Sequence, residues 1–193
     1  MEVDQSFIEG VVKNRIFVHA LAVLVCIAIP AAAETTSTIE SAGTDTAIAL
    51  PLVAGGIALW KSDWRGAEQL TFATALTVGT SLAFKQFVRE QRPDHSDFKS
   101  FPSNTSALAF APAQFLWQRY GWEYGVPAYA AAAFVGYSRV DAKQHHWWDV
   151  AASAAISLGY NELITTRYRK PYGLTSNLSA DPSGIYASLD YRF

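Results

Sequence analysis

The chain has 193 residues, a length that suits one domain with its own hydrophobic core. Its net charge is −2, so no overall basic field indicates nucleic-acid binding. Half of the residues are hydrophobic and only 17% are charged, which is typical of a helical bundle with close helix contacts or of a protein that meets a membrane.

The first segment of the chain has the pattern of a secretory signal peptide. Lys13 and Arg15 precede the apolar run IFVHALAVLVCIAIP, which ends at the small residues AAAE. We predict a signal peptide over residues 1–33, with an uncleaved N-terminal anchor helix as the alternative. Cys26, the one cysteine, lies inside this segment, so a cleaved chain has no disulfide. The predicted location is periplasmic after export, with membrane association or integration in the inner membrane as alternatives.

A helical domain is predicted after this segment. A Thr/Ser-rich stretch over residues 34–45 is predicted to be a polar linker, and the helical domain then covers residues 46–170. Its segments of helical composition are TAIALPLVAGGIALW, GAEQLTFATALTVGTSLAFKQFVRE, TSALAFAPAQFLWQRYG, VPAYAAAAFVGYSRV and HHWWDVAASAAISLGYNELITTRYR. Their apolar runs are shorter than the ~20 residues that span a bilayer, which favours a soluble bundle over membrane spans. The predicted fold class is all-α, a bundle of about five to six helices.

Residues 171–193 are predicted to form a short C-terminal β-hairpin. The residues DPSG at 181–184 are a turn sequence between two strand-like segments. The alternation that ends at Phe193 is also typical of the final strand of an outer-membrane barrel. One hairpin cannot close a barrel, however, because every strand edge must be paired in lipid. A hairpin lying against the helical body is the favoured interpretation.

Two stretches in the middle of the chain have the properties of an anion site. Lys85, Arg89 and Arg92 are spaced so that they share one face if the second helix continues through them. Such a stripe is either solvated or holds an anion. The stretch FPSNTSAL then opens the next helix, where free N–H groups and hydroxyls favour phosphate. Simple capping by Ser and Thr is the alternative.

A histidine and a carboxylate follow at His145 and Asp149. If the last helix begins near His145, this spacing puts both side chains on one helix face. Asp149 then accepts a hydrogen bond from one ring nitrogen and leaves the other free as a nucleophile. A single His–Asp pair is more often structural. The basic residues and the anion-binding loop nearby favour a functional role for this pair. The sequence shows no His/Asp cluster with metal-ligand spacing.

These stretches resemble the motifs of the type 2 phosphatidic acid phosphatase superfamily, which includes bacterial class A acid phosphatases and vanadium haloperoxidases. The family pattern K-x-x-x-x-x-x-R-P is matched by KQFVREQRP at residues 85–93, and S-R-x-x-x-x-x-H-x-x-x-D by SRVDAKQHHWWD at residues 138–149. The middle pattern, P-S-G-H, is matched in part by PSNT at residues 102–105. The resemblance covers roughly residues 66–169.

The resemblance implies an exported phosphatase that needs no metal and no cofactor, because the lysine and the arginines supply the positive charge. It would hydrolyse a phosphate monoester or pyrophosphate, above all of a lipid, through a phosphohistidine. His145 would attack phosphorus, oriented by Asp149. The implied partners are a phosphorylated lipid or small phosphoester and a membrane surface, without nucleic acid. The residues implied to hold the phosphoryl oxygens and neutralise the transition-state charge are Lys85, Arg92, Ser103, Asn104 and Arg139.

Thr105 departs from the family pattern, in which a histidine at this position protonates the leaving oxygen. A threonine hydroxyl is too weak an acid for this at neutral pH, and general acid catalysis is worth ~10²–10⁴-fold. Hydrolysis of a pyrophosphate would lose less rate, because its leaving group is already acidic. His95 and His146 are candidates to replace the missing histidine as proton donor. The alternatives are a weak or inactive pseudoenzyme that binds phosphate and, less favoured, a vanadium haloperoxidase, which typically uses the same missing histidine.

The tryptophans of the helical domain have two interpretations. In a chain this rich in aromatic residues, packing in the core is favoured. The alternative is that they line a lipid-facing mouth. The residues concerned are Trp117, Trp122, Trp147 and Trp148.

Overall fold

The computed structural model describes residues 36–169, 174–181 and 184–191. In these residues the chain forms five helices and two strands. The helices are α1 (Thr36–Trp60), α2 (Trp64–Phe87), α3 (Asn104–Tyr120), α4 (Trp122–Asp141) and α5 (Trp147–Ile164). The all-α bundle predicted from the sequence is confirmed. The predicted signal peptide at residues 1–33 lies outside the described residues.

The strands lie within residues 171–193, where the sequence predicts a hairpin. β1 (Leu174–Asp181) and β2 (Gly184–Tyr191) pair in antiparallel register. The two central residues of the predicted turn, 182–183, are not among the described residues.

The central element of the bundle is α3, which packs against α1, α2, α4 and α5. It is rich in buried alanine, and these small side chains let the neighbouring helices approach closely. Phe115 and Leu116 are fully buried beside them and fill the core. Gly121 has a φ of 96°, the left-handed region that favours glycine, and it joins α3 to α4 within a single residue.

A buried ion pair closes the end of the bundle where α1 meets α2. Asp63 caps α2 by accepting a hydrogen bond of 2.9 Å from the backbone of Gly66. Its carboxylate accepts from Arg119 near the end of α3 at 2.5 and 2.6 Å and from the Tyr120 hydroxyl at 2.8 Å. Arg119 also donates to the Thr166 carbonyl at 2.5 Å. Because these charges are paired and hydrogen-bonded, removal of either partner would leave an uncompensated buried charge.

The beginning of α1 corrects the predicted linker. The linker predicted at residues 34–45 is wrong from Thr36 onward, because α1 begins there. The Ser, Thr and Gly residues of this stretch are weak helix formers, but they pack against α4. A Cβ added at Gly43 would lie only 1.8 Å from Ser138 Oγ, and the Glu40 carbonyl accepts a hydrogen bond from Arg139. Tertiary contacts of this kind override local propensity.

Large apolar side chains are unusually exposed on this bundle. Leu52 is 70% exposed and Phe72 64%. The four tryptophans predicted to pack in the core are 42% exposed or more, so that prediction is wrong. Within the described residues, one helix, Thr38–Trp60, is long and apolar enough to cross a membrane by length and composition.

Candidate active site

The residues predicted to hold phosphate come together at the end of the bundle opposite Asp63. Successive helices run in opposite directions, so the last turns of α2 and α4 meet the first turns of α1, α3 and α5 there. The loop at 88–103 completes this end of the molecule. The site is therefore built from helix termini, where backbone groups without helical partners are available.

Asp149 is the anchor of the site. It is fully buried, and its Oδ2 accepts the backbone N–H of His146 at 2.8 Å and the Ser100 hydroxyl at 2.5 Å. Burial raises the pKa of Asp149, but the neighbouring His145 imidazole, the Ser100 hydroxyl and the His146 N–H outweigh it and lower that pKa to about 2. The carboxylate is therefore ionised at neutral pH.

His145 reaches Asp149 from outside the helix. Since α5 begins at Trp147 with His146 as its N-cap, the prediction that His145 and Asp149 share a helix face is wrong. The two side chains nevertheless meet, with His145 Nδ1 3.5 Å from Asp149 Oδ2. The His145 N–H donates to the Arg139 carbonyl at 3.2 Å, which holds the preceding turn in place.

The surroundings of His145 favour its neutral form. The residue is only 5% exposed. Burial, with the cations Lys85 and Arg92, lowers the pKa of His145 below its ordinary 6.5, although Asp149 opposes this. A neutral ring with Nδ1 towards the carboxylate keeps Nε2 on its opposite edge. This is the protonation state that a nucleophilic histidine needs.

Lys85 lies in the last turn of α2, beside the loop that leads to α3. Its Nζ donates to the carbonyls of Lys99 at 2.5 Å and Ser100 at 3.3 Å. Burial and the nearby Arg92 cation lower the pKa of Lys85 to about 8. Its positive charge is thus present at neutral pH and is lost in mildly basic solution.

Arg92 reaches the site from a loop. The helix α2 ends at Phe87, so the prediction that Lys85, Arg89 and Arg92 share one helix face is wrong. Arg92 Nε donates to Asp97 Oδ1 at 2.8 Å, and its NH1 donates to the Gln144 side-chain oxygen. The contact with Asp97 lies within the loop after α2, and the contact with Gln144 joins that loop to the loop before α5.

The first turn of α3 presents free backbone N–H groups. Ser103 is the N-cap, and its side chain accepts from Ser106 N at 3.3 Å. The Ser153 hydroxyl lies 2.8 Å from both the Ser103 and the Asp149 carbonyls, which ties α3 to α5. The N–H groups of Asn104 and Thr105 precede the first intrahelical bond, from Ala107 to Ser103. They are therefore placed to bind an anion.

Arg139 lies in the last turn of α4 and is only 6% exposed. Its NH2 donates to the Glu40 carbonyl at 2.7 Å, and its NH1 lies 3.6 Å from the Glu40 carboxylate. Its Nε has no hydrogen-bond partner within the described part of the chain. Sequence reasoning missed Glu40, which sits in the predicted linker 99 residues before Arg139 and carries no motif.

The two substitute histidines lie in different places. His95 is in the loop after Arg92, and its side chain is exposed. His146 is closer: its ring stacks on Trp148 at 4.3 Å, and its Nδ1 lies 3.5 Å from Asp149 Oδ2. Neither His145 nor His146 is inside α5, and both side chains approach the same carboxylate oxygen.

Glu90, His146 and Asp149 form a cluster that sequence spacing does not show. Each brings one potential metal-ligand atom, and these atoms lie within 4.8 Å of one another. Their oxygens already accept hydrogen bonds: Glu90 Oε1 from Trp148 at 2.6 Å and Asp149 Oδ2 from Ser100 at 2.5 Å. The cluster is thus accounted for by contacts between the loop after α2 and the start of α5.

Comparison with known proteins identifies the family. The family model of the PAP2 superfamily matches residues 67–170. The chain belongs to the PAP2 superfamily. This is the superfamily that the three motifs resemble, so the prediction is confirmed.

Relatives of known function agree with this assignment. A lipid A 4'-phosphatase of Helicobacter pylori is 33% identical over 147 residues, which are 70% of this chain and 74% of that protein. A lipid A 1-phosphatase of Porphyromonas gingivalis is 34% identical over 126 residues, 60% of this chain and 27% of that protein. As a PAP2 member with these relatives, the chain is a phosphoric monoester hydrolase.

A solved structure shares the fold. The crystal structure of Aquifex aeolicus LpxE superposes with a TM-score of 0.50 at 20% identity, over 62% of this chain and 83% of that one. The likeness supports the all-α PAP2 architecture of the bundle.

Proposed function

We propose that this PAP2 protein removes a phosphate group from a membrane lipid of the lipid A class through a phosphohistidine on His145. The observation that carries the proposal is the pair of His145 and Asp149, 3.5 Å apart and buried. It lies within electrostatic reach of Lys85 and Arg92. A buried neutral imidazole beside an ionised carboxylate and fixed cations suits attack on an anionic phosphorus centre.

The residues divide the reaction into two steps. His145 Nε2 attacks phosphorus in line, the N–P bond forms, and the bond from phosphorus to the leaving oxygen breaks. The leaving oxygen keeps the bonding electrons and takes a proton from water. Asp149 holds Nδ1–H and balances the positive charge on the ring. A water molecule then attacks phosphorus, the N–P bond breaks with its electrons returning to Nε2, and inorganic phosphate leaves.

The charge that develops on phosphorus meets donors from every side. Lys85, Arg92 and Arg139 supply positive charge, and the N–H groups at the start of α3 supply hydrogen bonds. Because these donors are held in place before the substrate arrives, little reorganisation is needed in the transition state. Thr105 sits in the first turn of α3, where the family pattern has the histidine that protonates the leaving oxygen.

The surface of the bundle supports a lipid substrate and contact with a membrane. Exposed residues such as Leu52, Phe72 and Phe87 add to an apolar surface, and Trp147 and Trp148 are exposed beside the site. Soluble monomers rarely expose apolar surface on this scale, whereas aromatic side chains are enriched where proteins meet the headgroup region. We place the site at a membrane interface, and export rests on the signal-peptide pattern at residues 1–33.

The test is phosphate release by the purified full chain from lipid A, phosphatidic acid, undecaprenyl pyrophosphate and p-nitrophenyl phosphate. We expect release from a lipid monoester, and background release for His145→Ala. Glu123→Ala is the control, since Glu123 is exposed at the start of α4, at the end of the bundle away from the site, and it should keep full activity. The proposal fails if no substrate releases phosphate or if His145→Ala remains active.

The second candidate function is phosphate binding without turnover, which Thr105 favours. Such a protein binds inorganic phosphate or orthovanadate at Lys85 and Arg92 but releases no product. Calorimetric titration with orthovanadate beside the release assay separates the two candidates. High activity in the unaltered chain eliminates the second.

A further inference from the structure

An apolar groove of about 500 Å³ runs between α1 and α2. Its lining includes Pro51 and Gly55 of α1, Leu70, Ala75 and Val78 of α2, and Leu108 of α3. Thr71 also lines it, but its hydroxyl donates to the Ala67 carbonyl of its own helix at 2.9 Å. Thr74 lines the groove too, and its buried hydroxyl has no hydrogen-bond partner among the described residues. The surface that the groove exposes is mostly apolar.

Small residues keep this groove open. Gly55 has no side chain, and the nearest atom to a Cβ built there is Leu70 Cδ2 at 3.9 Å. Ala75 fills little space on the opposite wall. Larger residues at these two positions would project into the groove without first meeting the core.

The groove begins close beneath the anion site and leads away from it. Leu108 is one helical turn past Asn104, ~6 Å along α3. On α2, Val78 precedes Lys85 by ~10 Å along the helix axis. From Val78 the lining continues to Ala67, a further ~16 Å away from Lys85.

These distances match the layout of a phosphorylated lipid. A phosphate held at Lys85 and the start of α3 leaves ~10 Å for the polar part of the molecule before the groove begins. An extended apolar chain then lies parallel to the helices. A soluble phosphoester has no apolar chain to place in the groove, and contact with a second protein copy would not require the groove to start within ~10 Å of the anion site.

We propose that the groove between α1 and α2 binds one acyl chain of the lipid whose phosphate occupies the anion site. The inference rests on the proposed function. It explains why the enzyme would prefer lipids to soluble esters. Burial of a chain in the groove strengthens binding with each CH₂ group removed from water. Long-chain substrates are therefore favoured over short-chain ones with the same phosphate.

The first test fills the groove. Ala75→Phe is compared with Ala133→Phe, a matched change at an exposed position of α4 outside the groove. Each full chain is assayed in detergent micelles with dipalmitoyl and dihexanoyl phosphatidic acid, and with lipid A and its deacylated form. We expect Ala75→Phe to lower kcat/KM about tenfold for the long-chain members alone, since the burial of about two CH₂ groups is lost. Ala133→Phe should match wild type.

A second variant and a second readout keep the test decisive. Gly55→Leu obstructs the groove from α1 if Ala75→Phe does not fold. A phosphatidic acid with a diazirine in its acyl chain is photolysed with the wild-type chain, with and without excess inorganic phosphate. We expect labelled peptides from α1 and α2, and less labelling when phosphate competes.

The outcomes separate the groove from the reaction. If no substrate releases phosphate but labelling in α1 and α2 still falls with inorganic phosphate, the proposed function fails and the groove assignment holds. Equal losses for long and short chains in the groove variants overturn the groove assignment while the phosphatase remains. The groove assignment is also overturned if the labelled peptides come from other helices, or if inorganic phosphate does not reduce the labelling.

Discussion

Arg139 at the end of α4 is held by Glu40 at the start of α1, with NH2 2.7 Å from the Glu40 carbonyl and NH1 3.6 Å from its carboxylate. This contact is possible because Gly43, one turn further along α1, lets the helix lie directly on Ser138. The orientation of a cation proposed to bind phosphate therefore depends on a helix that carries none of the family motifs.

The close contact at Gly43 predicts the effect of a single methyl group. In Gly43→Ala the new Cβ meets the buried Ser138 side chain at 1.8 Å, so α1 must move and Arg139 loses its partner. We expect the free energy of unfolding to fall by about 1–3 kcal/mol and KM to rise severalfold. Gly56→Ala is the control, because a Cβ there meets nothing within 4 Å. Urea unfolding and steady-state kinetics measure both, and equal behaviour of the two variants would contradict the prediction.

The carboxylate at Asp149 is expected to control the histidine. Asp149→Asn removes the negative charge 3.5 Å from His145 Nδ1, and kcat should fall by up to ~10⁴-fold, the scale for loss of such an orienting carboxylate. Ser100→Ala removes one donor, at 2.5 Å, and raises the pKa of Asp149 from about 2. Because the Asp149 carboxyl stays ionised at neutral pH, the loss of kcat in Ser100→Ala should be much smaller than in Asp149→Asn. An Asn variant with near-normal kcat would exclude the proposed role.

Lys85 and His145 together predict a bell-shaped pH profile of kcat/KM. As pH falls through the lowered pKa of His145, below 6.5, the ring gains a proton and cannot attack. As pH rises through about 8, Lys85 loses its charge and phosphate binding weakens. Lys85→Arg should move the basic limb beyond the measured range, because a guanidinium keeps its proton. A basic limb that stays near pH 8 in this variant would assign it to another group.

Thr105 predicts a dependence on the leaving group. Thr105→His should raise kcat/KM by ~10²–10⁴-fold for a lipid monoester, whose alkoxide needs a proton. The gain should be small for p-nitrophenyl phosphate, whose leaving group is already acidic. Thr105→Ala is the control and should resemble wild type for both substrates. If Thr105→His brings no gain and wild type is already fast, another group supplies the proton.

Disruption of the Asp63–Arg119 ion pair, at the end of the bundle opposite the site, is expected to change stability but not substrate binding. Asp63→Ala leaves Arg119 buried without its partner, and the free energy of unfolding should fall by about 3–5 kcal/mol. Since the pair lies at the opposite end from His145, KM at low temperature should not change. The double variant Asp63→Leu with Arg119→Met should recover much of the loss, because no charge is then left buried. A changed KM in Asp63→Ala would show that the two ends are coupled.

Much of the bundle follows from local patterns. The Ala-rich segments predict α3 and α4 because small residues and helical composition act within a few turns. Ser103 as a cap and the free N–H groups after it follow from a short stretch of chain. The motif residues Lys85, Arg92 and His145 likewise follow from residue type and spacing, since the chemistry of phosphate requires cations and a nucleophile.

The predictions that failed depend on contacts between distant parts of the chain. The end of α2 at Phe87 and the start of α5 at Trp147 are set where loops exchange hydrogen bonds, as between Arg92 and Gln144. The prediction that the tryptophans pack in the core failed for a related reason. The hydrophobicity of a side chain does not by itself show whether it is buried in the core or lies on the surface.

The sequence by itself determined the family, the all-α class and the set of residues proposed to handle phosphate, because these are properties of residue type and local order. Only the tertiary structure decided that Glu40 supports Arg139, that His145 and His146 both approach Asp149 Oδ2, and that an apolar groove lies between α1 and α2. Each of these depends on how helices pack across tens of residues. Packing is a sum of many weak contacts whose partners the local sequence does not specify.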